Sequence, residues 1–490
     1  MNAESNRRPP LPLDRDLLAR RAFLRRGAAG IGAIAWALAA ERGLGALAPQ
    51  DSRPQVARDP WLLPQSTAKR VVVVFLSGGL SQLDLFDEKK LLNERRGEQL
   101  PESVRKGGRI TGLTDRQGAL PVVGSKFEFQ ARGKCGMRLS EAIPHIGSVA
   151  DELTLIRSIQ TDHVLHEAAM TIMFTGTPLL GRPSFGSWVN YGLGSAAKNL
   201  PDFVVLLSNG DGATPLHPRL WHNGFLPGRF QGVNFRSGPE PVLFVKNPPG
   251  VDDKSRARQL ESLRSLDALE AAASGDPDTA ARMASYEMAA RMQLSVPELN
   301  DLSKEPPEVL EAYGAEPGKE SFASNCILAR RLLERGVRFV QLCDGNWDHH
   351  FNIPTVLPKK CDDVDRPTAA FIKDLKERGL LDDTIVIFTG EFGRTPYCEG
   401  PLAFNSYGRD HNNLAMSILV AGGGFRRGYA HGATDEWGWS ATHDVVHLHD
   451  FHATVLHALG IDHKRLTTRH QGRDFRLTDV AGKVVPELLA

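Results

Sequence analysis

The amino-acid sequence predicts an α/β fold: a doubly wound, mainly parallel sheet with helices on both faces and one helical insertion. Three observations point there. Short apolar runs rich in β-branched residues recur without the alternation of a half-exposed strand, as expected of strands covered on both faces. A helical pattern that stops at a glycine precedes one of them. Polar loops rich in Asp, His and Gly adjoin several, where an open α/β sheet gathers its ligands.

The first run, 71–76, follows Lys69-Arg70 and ends at Ser77-Gly78-Gly79. Similar runs occupy 203–207, 337–342, 384–388 and 415–420. The fourth is preceded by a helical pattern over 369–378, with Gly379 as a C-cap. Residues 253–335 are rich in Ala, Leu, Glu and Arg and hold no strand-like run. They predict two or three helices forming a cap or insertion, joined through the Pro- and Gly-bearing stretch 300–317. A last helix over about 446–459 places Leu448, Phe451, Val455 and Leu459 on one face and stops at Gly460.

The N-terminus predicts export. Arg20-Arg21-Ala22-Phe23-Leu24 pairs arginines with an apolar couple, and the weakly apolar stretch 27–40 follows. That stretch is shorter than the roughly 20 residues a bilayer span needs and fits a signal-peptide core. The expectation is a twin-arginine signal over 1–48, cleaved after Ala39 or Ala48, and a Pro-rich linker over 49–68. A single α/β domain over 69–488 follows. The partner is then the twin-arginine export machinery, the destination the periplasm or the cell exterior, with no stable transmembrane span. A net charge of +1 gives no basic surface for nucleic acid. Five cysteines without CxxC spacing predict neither a disulfide framework nor a cysteine zinc site.

The chemistry concentrates beside the apolar runs. Asp84 and Asp87 follow the first, Asp348-His349-His350 the third, and Glu391-Phe392-Gly393-Arg394 the fourth; Gly408-Arg409-Asp410-His411 comes just before the fifth. A lone aspartate after a strand is ordinarily a cap or turn residue. Asp348 with His350, and Asp410 with His411, put two ligand types side by side, a mixed oxygen and nitrogen set that suits a divalent metal. Nine of sixteen histidines fall between 411 and 470. Several familiar patterns fail. His166-Glu167 opens like HExxH but reaches Met170, Gly422-Gly423-Gly424 lacks the phosphate-loop Lys, and no GxSxG elbow occurs.

Ser77 to Asp87, His166 to Gly176, Gly181-Arg182-Pro183-Ser184-Phe185-Gly186-Ser187-Trp188, Trp347 to His350, Glu391 to Pro396, Gly408 to His411 and His447 to Asp479 together resemble the "domain of unknown function 1501" family. That family is similar to the alkaline phosphatase and sulfatase superfamily. The resemblance implies an exported metal-dependent hydrolase of sulfate or phosphate esters, acting on a small anionic ester or a sulfated or phosphorylated glycan. It implies that Asp84, Asp348, His350, Glu391, Asp410 and His411 hold one or two divalent ions (zinc, manganese, calcium or iron), with Arg394 facing the anionic ester. Against true sulfatases, Ser77 replaces a metal-binding Asp and Phe392 a His. His166 stands at the nucleophile position, nine residues before Thr175-Gly176. His166 is therefore expected to be a ligand or general base, with metal-activated water attacking. The alternative is a non-catalytic exported metal- or glycan-binding protein that keeps the fold.

Overall fold

The computed structural model describes residues 59–105, 110–208, 216–235, 250–274, 288, 292, 296, 298–400, 402–403 and 405–490. The signal expected over 1–48 and most of the linker expected over 49–68 lie outside them. Residues 61–68 are not a free linker. Leu62 bridges Ile461, and the Leu63 amide donates to the Gly460 carbonyl at 2.8 Å. Trp61 stacks on Tyr191 with ring centroids 5.9 Å apart.

In chain order the strands that matter are β1 (Arg70–Leu76), β2 (Leu153–Gln160), β3 (Phe203–Ser208), β4 (Val233–Phe235), β5 (Phe339–Asp344) and β6 (Thr384–Thr389). Then come β7 (Gly393–Glu399), β8 (Gly408–Asn412), β9 (Met416–Ala421), β10 (Tyr429–His431) and β11 (Val446–His447). The main helices are α1 (His166–Thr175), α2 (Phe185–Leu193), α3 (Asp253–Ser274), α4 (Phe322–Glu334), α5 (Ile353–Glu377) and α6 (Leu448–Ala458).

Among the described residues one nine-stranded sheet runs in the order β10-β2-β9-β6-β1-β5-β3-β4, with β11 beside β2. Every pairing in it is parallel except the two made by β9. β7 and β8 form a separate antiparallel hairpin. β1 lies centrally, and its side chains divide by parity. Val72, Val74 and Leu76 pack in one core with Leu332 of α4 and Phe371 of α5. Val71, Val73 and Phe75 pack in the other with Phe174 of α1, Trp188 of α2 and Val455 of α6. The unbroken apolar run is thus explained by helices on both faces. Each of these buried side chains contributes roughly 1.5–3 kcal/mol of transfer free energy before chain entropy is counted.

All five apolar runs are strands, with edges shifted by a residue or two. Three expectations change. α5 begins at Ile353, sixteen residues before the helix expected from 369, and carries Pro358 and Pro367 inside it. Burial of Leu357, Cys361, Val364 and Phe371 along its length outweighs the lost amide bonds. The expected insertion 253–335 is shorter, because α4 is buried from Phe322 to Leu333 and belongs to a helical layer of the sheet. β2 was missed, since Arg157 and Ser158 interrupt its apolar run.

Candidate metal centre

The antiparallel direction of β9 brings the segment before it to the same sheet edge as the loops that follow the parallel strands. His166 is the first residue of α1, beyond β2; Asp348 and His350 follow β5; Glu391 and Phe392 follow β6; Glu399 ends β7; and Asp410 and His411 lie on β8. Three stretches far apart in sequence (His166, 348–350 and 391–411) therefore meet at the carboxyl end of the parallel strands, the place where open α/β sheets bind ligands.

Four side chains converge: His166, Asp348, His350 and His411 place one ligand atom each within 4.8 Å of the others. Asp348 is the hub. Its Oδ1 lies 2.7 Å from His350 Nε2 and 3.3 Å from His411 Nε2, and its Oδ2 lies 3.2 Å from His166 Nε2. The Nε2 atoms of His350 and His411 are 3.0 Å apart. Each imidazole is fixed from behind. His166 Nδ1 donates to Glu391 Oε1 at 2.6 Å, His350 Nδ1 to Glu399 Oε2 at 2.5 Å, and His411 Nδ1 to the Val164 carbonyl at 2.7 Å. This outer ring of acceptors is what holds metal-ligating histidines in one tautomer.

A cation fits this donor set. With Nδ1 carrying the proton on each ring, the inward Nε2 atoms are lone pairs directed at one another and at a carboxylate. His166 Nε2 is buried and faces Asp348 Oδ2 at 3.2 Å. Bonds of roughly 2.0–2.1 Å in a tetrahedron separate ligand atoms by about 3.3 Å, close to the spacings here. Charge agrees. Asp348, Glu391, Glu399 and Asp410 bring four carboxylates to the quartet and its surround against the single guanidinium of Arg394, an excess of negative charge that a divalent cation reduces.

Without an ion, protons take its place. Burial would lower the His166 pKa, but hydrogen bonds with Asp348 and Glu391 raise it to about 9. His350 is raised in the same way, against its burial, by Asp348 and Glu399. His411 is lowered by burial and by the nearby Arg394 charge. Burial pushes the Asp348 carboxyl up, but hydrogen bonds from all three histidines and the Arg394 charge hold it far below the carboxylate range. Three-His-one-carboxylate ligation suits zinc, manganese or iron; the nitrogen-rich set does not suit calcium, which takes oxygen ligands. The four side chains are 7–17% exposed.

The remaining candidates sit around this quartet. Glu391 is fully buried behind His166, accepts the Gly78 amide at 3.0 Å and stands outside the four-residue cluster. Arg394, expected to face an anionic ester, is 1% exposed and already committed. It donates to the carbonyls of Gly79 (2.7 Å), Arg409 (2.9 Å) and Gly78, and to Asp348 Oδ1 at 2.6 Å. Asp84 is sealed with Arg409 in a fully buried pair at 2.8 Å, and Asp87 is held by Lys89 and Thr434. Neither reaches the quartet, because a full charge buried this deeply needs its own partner. Asp410 accepts from Thr111, Thr114 and the His411 amide, and joins His350 and Glu399 in an adjacent group.

Glu399 was absent from the sequence reading, and nothing local marks it: the hairpin alone carries it under His350. Phe392, read only as a lost ligand, packs against His166 and His411 with ring centroids 4.9 and 4.5 Å away. Gly78 shows why the first loop is glycine-rich. At φ +130°, a Cβ there would stand 2.3 Å from the Asp348 backbone nitrogen.

A family model described as "Protein of unknown function (DUF1501)" matches residues 68–489. No curated protein matches the sequence. Among solved structures the chain is similar to the lipoteichoic acid synthase LtaP from Listeria monocytogenes, at 8% identity, 86% of this chain, 77% of that chain and a TM-score of 0.35. It is similar to the PsFucS1 sulfatase from Pseudoalteromonas sp., at 12% identity, 81% and 68% coverage and a TM-score of 0.34. It is also similar to a protein in the alkaline phosphatase superfamily from Vibrio parahaemolyticus, at 8% identity, 83% and 70% coverage and a TM-score of 0.33.

Proposed function

The chain belongs to the DUF1501 family of proteins of unknown function, and from that premise we propose that it is an exported, metal-dependent hydrolase of sulfate or phosphate esters. One observation carries the reading: three buttressed imidazoles and one carboxylate bring one ligand atom each within 4.8 Å of the others. His166, Asp348, His350 and His411 would hold the ion. A divalent cation there supplies Lewis acidity and lowers the pKa of water toward neutrality. Glu391, Glu399 and the Val164 carbonyl fix the rings, and Arg394 fixes Asp348. Phe392 packs against two of the rings. With His166 at the nucleophile position, the attacking group is water, and no covalent ester forms on the chain. The substrate is a small anionic ester or a sulfated or phosphorylated glycan.

The experiment is metal analysis of the purified mature chain followed by a screen of aryl sulfates and aryl phosphates. Near-stoichiometric metal with turnover abolished by Asp348→Asn supports the proposal. Stoichiometric metal with no turnover on either class favours the second reading, a non-catalytic metal- or glycan-binding protein. The commitment of Arg394 to backbone carbonyls is the observation that favours that alternative. Metal-free protein would remove the metal-dependent hydrolase and leave only the glycan-binding form of the second reading.

A further inference from the structure

With Arg394 consumed by the scaffold, an anionic substrate needs a cation elsewhere. Arg219 stands in a short 3-10 turn, Pro218–Leu220, that packs against α1, the helix whose first residue is His166. Leu220 is fully buried, so the turn is anchored and Arg219 is held half-buried beside the helix. Two of its guanidinium nitrogens, Nε and Nη2, are buried without a hydrogen-bond partner. Among the described residues no other arginine leaves two such donors unmet; Arg105, Arg132, Arg157, Arg256 and Arg330 each leave Nε alone. Among the described residues its one ion pair is loose: Nη2 lies 3.9 Å from Oε2 of Glu167, a residue 74% exposed and next to His166. His217 Nε2 approaches the same carboxylate at 3.8 Å. Buried polar groups in folded proteins are almost always satisfied, so each one left over calls for an explanation, a functional role or a bound water or ion among them. A guanidinium with two parallel donors matches an oxyanion.

We propose that Arg219, with His217 beside it, is the oxyanion-recognising group for the ligand of the metal centre, and that Glu167 occupies its place in the absence of ligand. The inference rests on the reading of the quartet as a metal centre and adds the cation that the centre itself lacks. A sulfate and a phosphate group share the chemistry, so both are tested.

The experiment uses the mature full-length chain. Metal content is measured first, and titration calorimetry with inorganic sulfate and, separately, inorganic phosphate follows on wild type, Arg219→Gln, Arg219→Lys and Glu167→Gln. Arg219→Gln should weaken binding of the preferred anion at least about 10-fold, with metal content and melting temperature unchanged. Arg219→Lys should recover part of that loss, because the charge returns without the fork. Glu167→Gln should tighten binding, because a competing carboxylate has gone. Anion affinity that is the same in Arg219→Gln as in wild type overturns the proposal, and so does a metal-loaded wild type that binds neither anion. A chain without metal instead overturns the reading of the centre.

Discussion

His350 and His411 set their Nε2 atoms 3.0 Å apart, each with its other nitrogen already spoken for, and that pair is the most direct residue-level prediction. Replacing either with Ala should lower metal content by more than about 100-fold in affinity. The melting temperature should fall with it, because an ion bound only by the folded state adds RT ln(1 + [L]/Kd) to stability. Full occupancy in both variants, by metal analysis, would place the site elsewhere. Glu399→Gln should cost roughly 10–100-fold in metal affinity, since it loosens a ring without removing a ligand. Asp84 behaves differently. Burial pushes its carboxyl up, but Arg409, with hydrogen bonds from Ser81 and Tyr407, holds it below its ordinary value. A depressed carboxylate stabilises fully above its unfolded pKa of ~3.9 and loses that contribution as pH falls through the folded value. Asp84→Asn should therefore cost roughly 3–5 kcal/mol at neutral pH, read by denaturant melts, because Arg409 is left buried and uncompensated. Asp348, His350 and His411 were legible because ligand types adjoin in the sequence. Glu399 was not, because its role depends on a hairpin that brings it under a ring 49 residues away.

At the scale of elements, loops near a strand edge are shaped by what they must avoid as much as by what they bind. Gly78→Ala would drive a Cβ into the Asp348 backbone, where neither side has a flexible side chain to yield. Gly408→Ala would meet the His350 carbonyl 1.6 Å away. Each should destabilise by about 3 kcal/mol or more, because the clash is with backbone, and at Gly78 the positive φ adds to it. Urea midpoints within experimental error of wild type would contradict the close approach. The strands were legible because burial on both faces writes itself as a continuous apolar run. The direction of β9 was not, since no residue in 416–421 records whether its neighbour runs with or against it. The start of α5 was hidden by its prolines: local propensity opposes the helix there, and packing of Leu357, Cys361 and Val364 decides it.

At the scale of the whole molecule, the expected export route makes its own prediction. Replacing Arg20 and Arg21 with Lys should leave the precursor inside the cell, and cell fractionation showing normal export would count against the twin-arginine reading. Among the described residues no helix is long and apolar enough to cross a membrane. The central place of β1 carries a further consequence. Val71 pairs with Phe339 on one side and with Ile385 on the other, 268 and 314 residues later in the chain. At a synthesis rate of 5–20 residues per second, β1 waits roughly 15–60 s before its second neighbour exists. Until the first of these neighbours exists a short, wholly apolar, β-prone segment has no native strand partner, which is the composition that associates between chains. Lys69 and Arg70, immediately before it, are the charges a nascent chain would use to keep such a segment apart from its copies until the ribosome has delivered the rest.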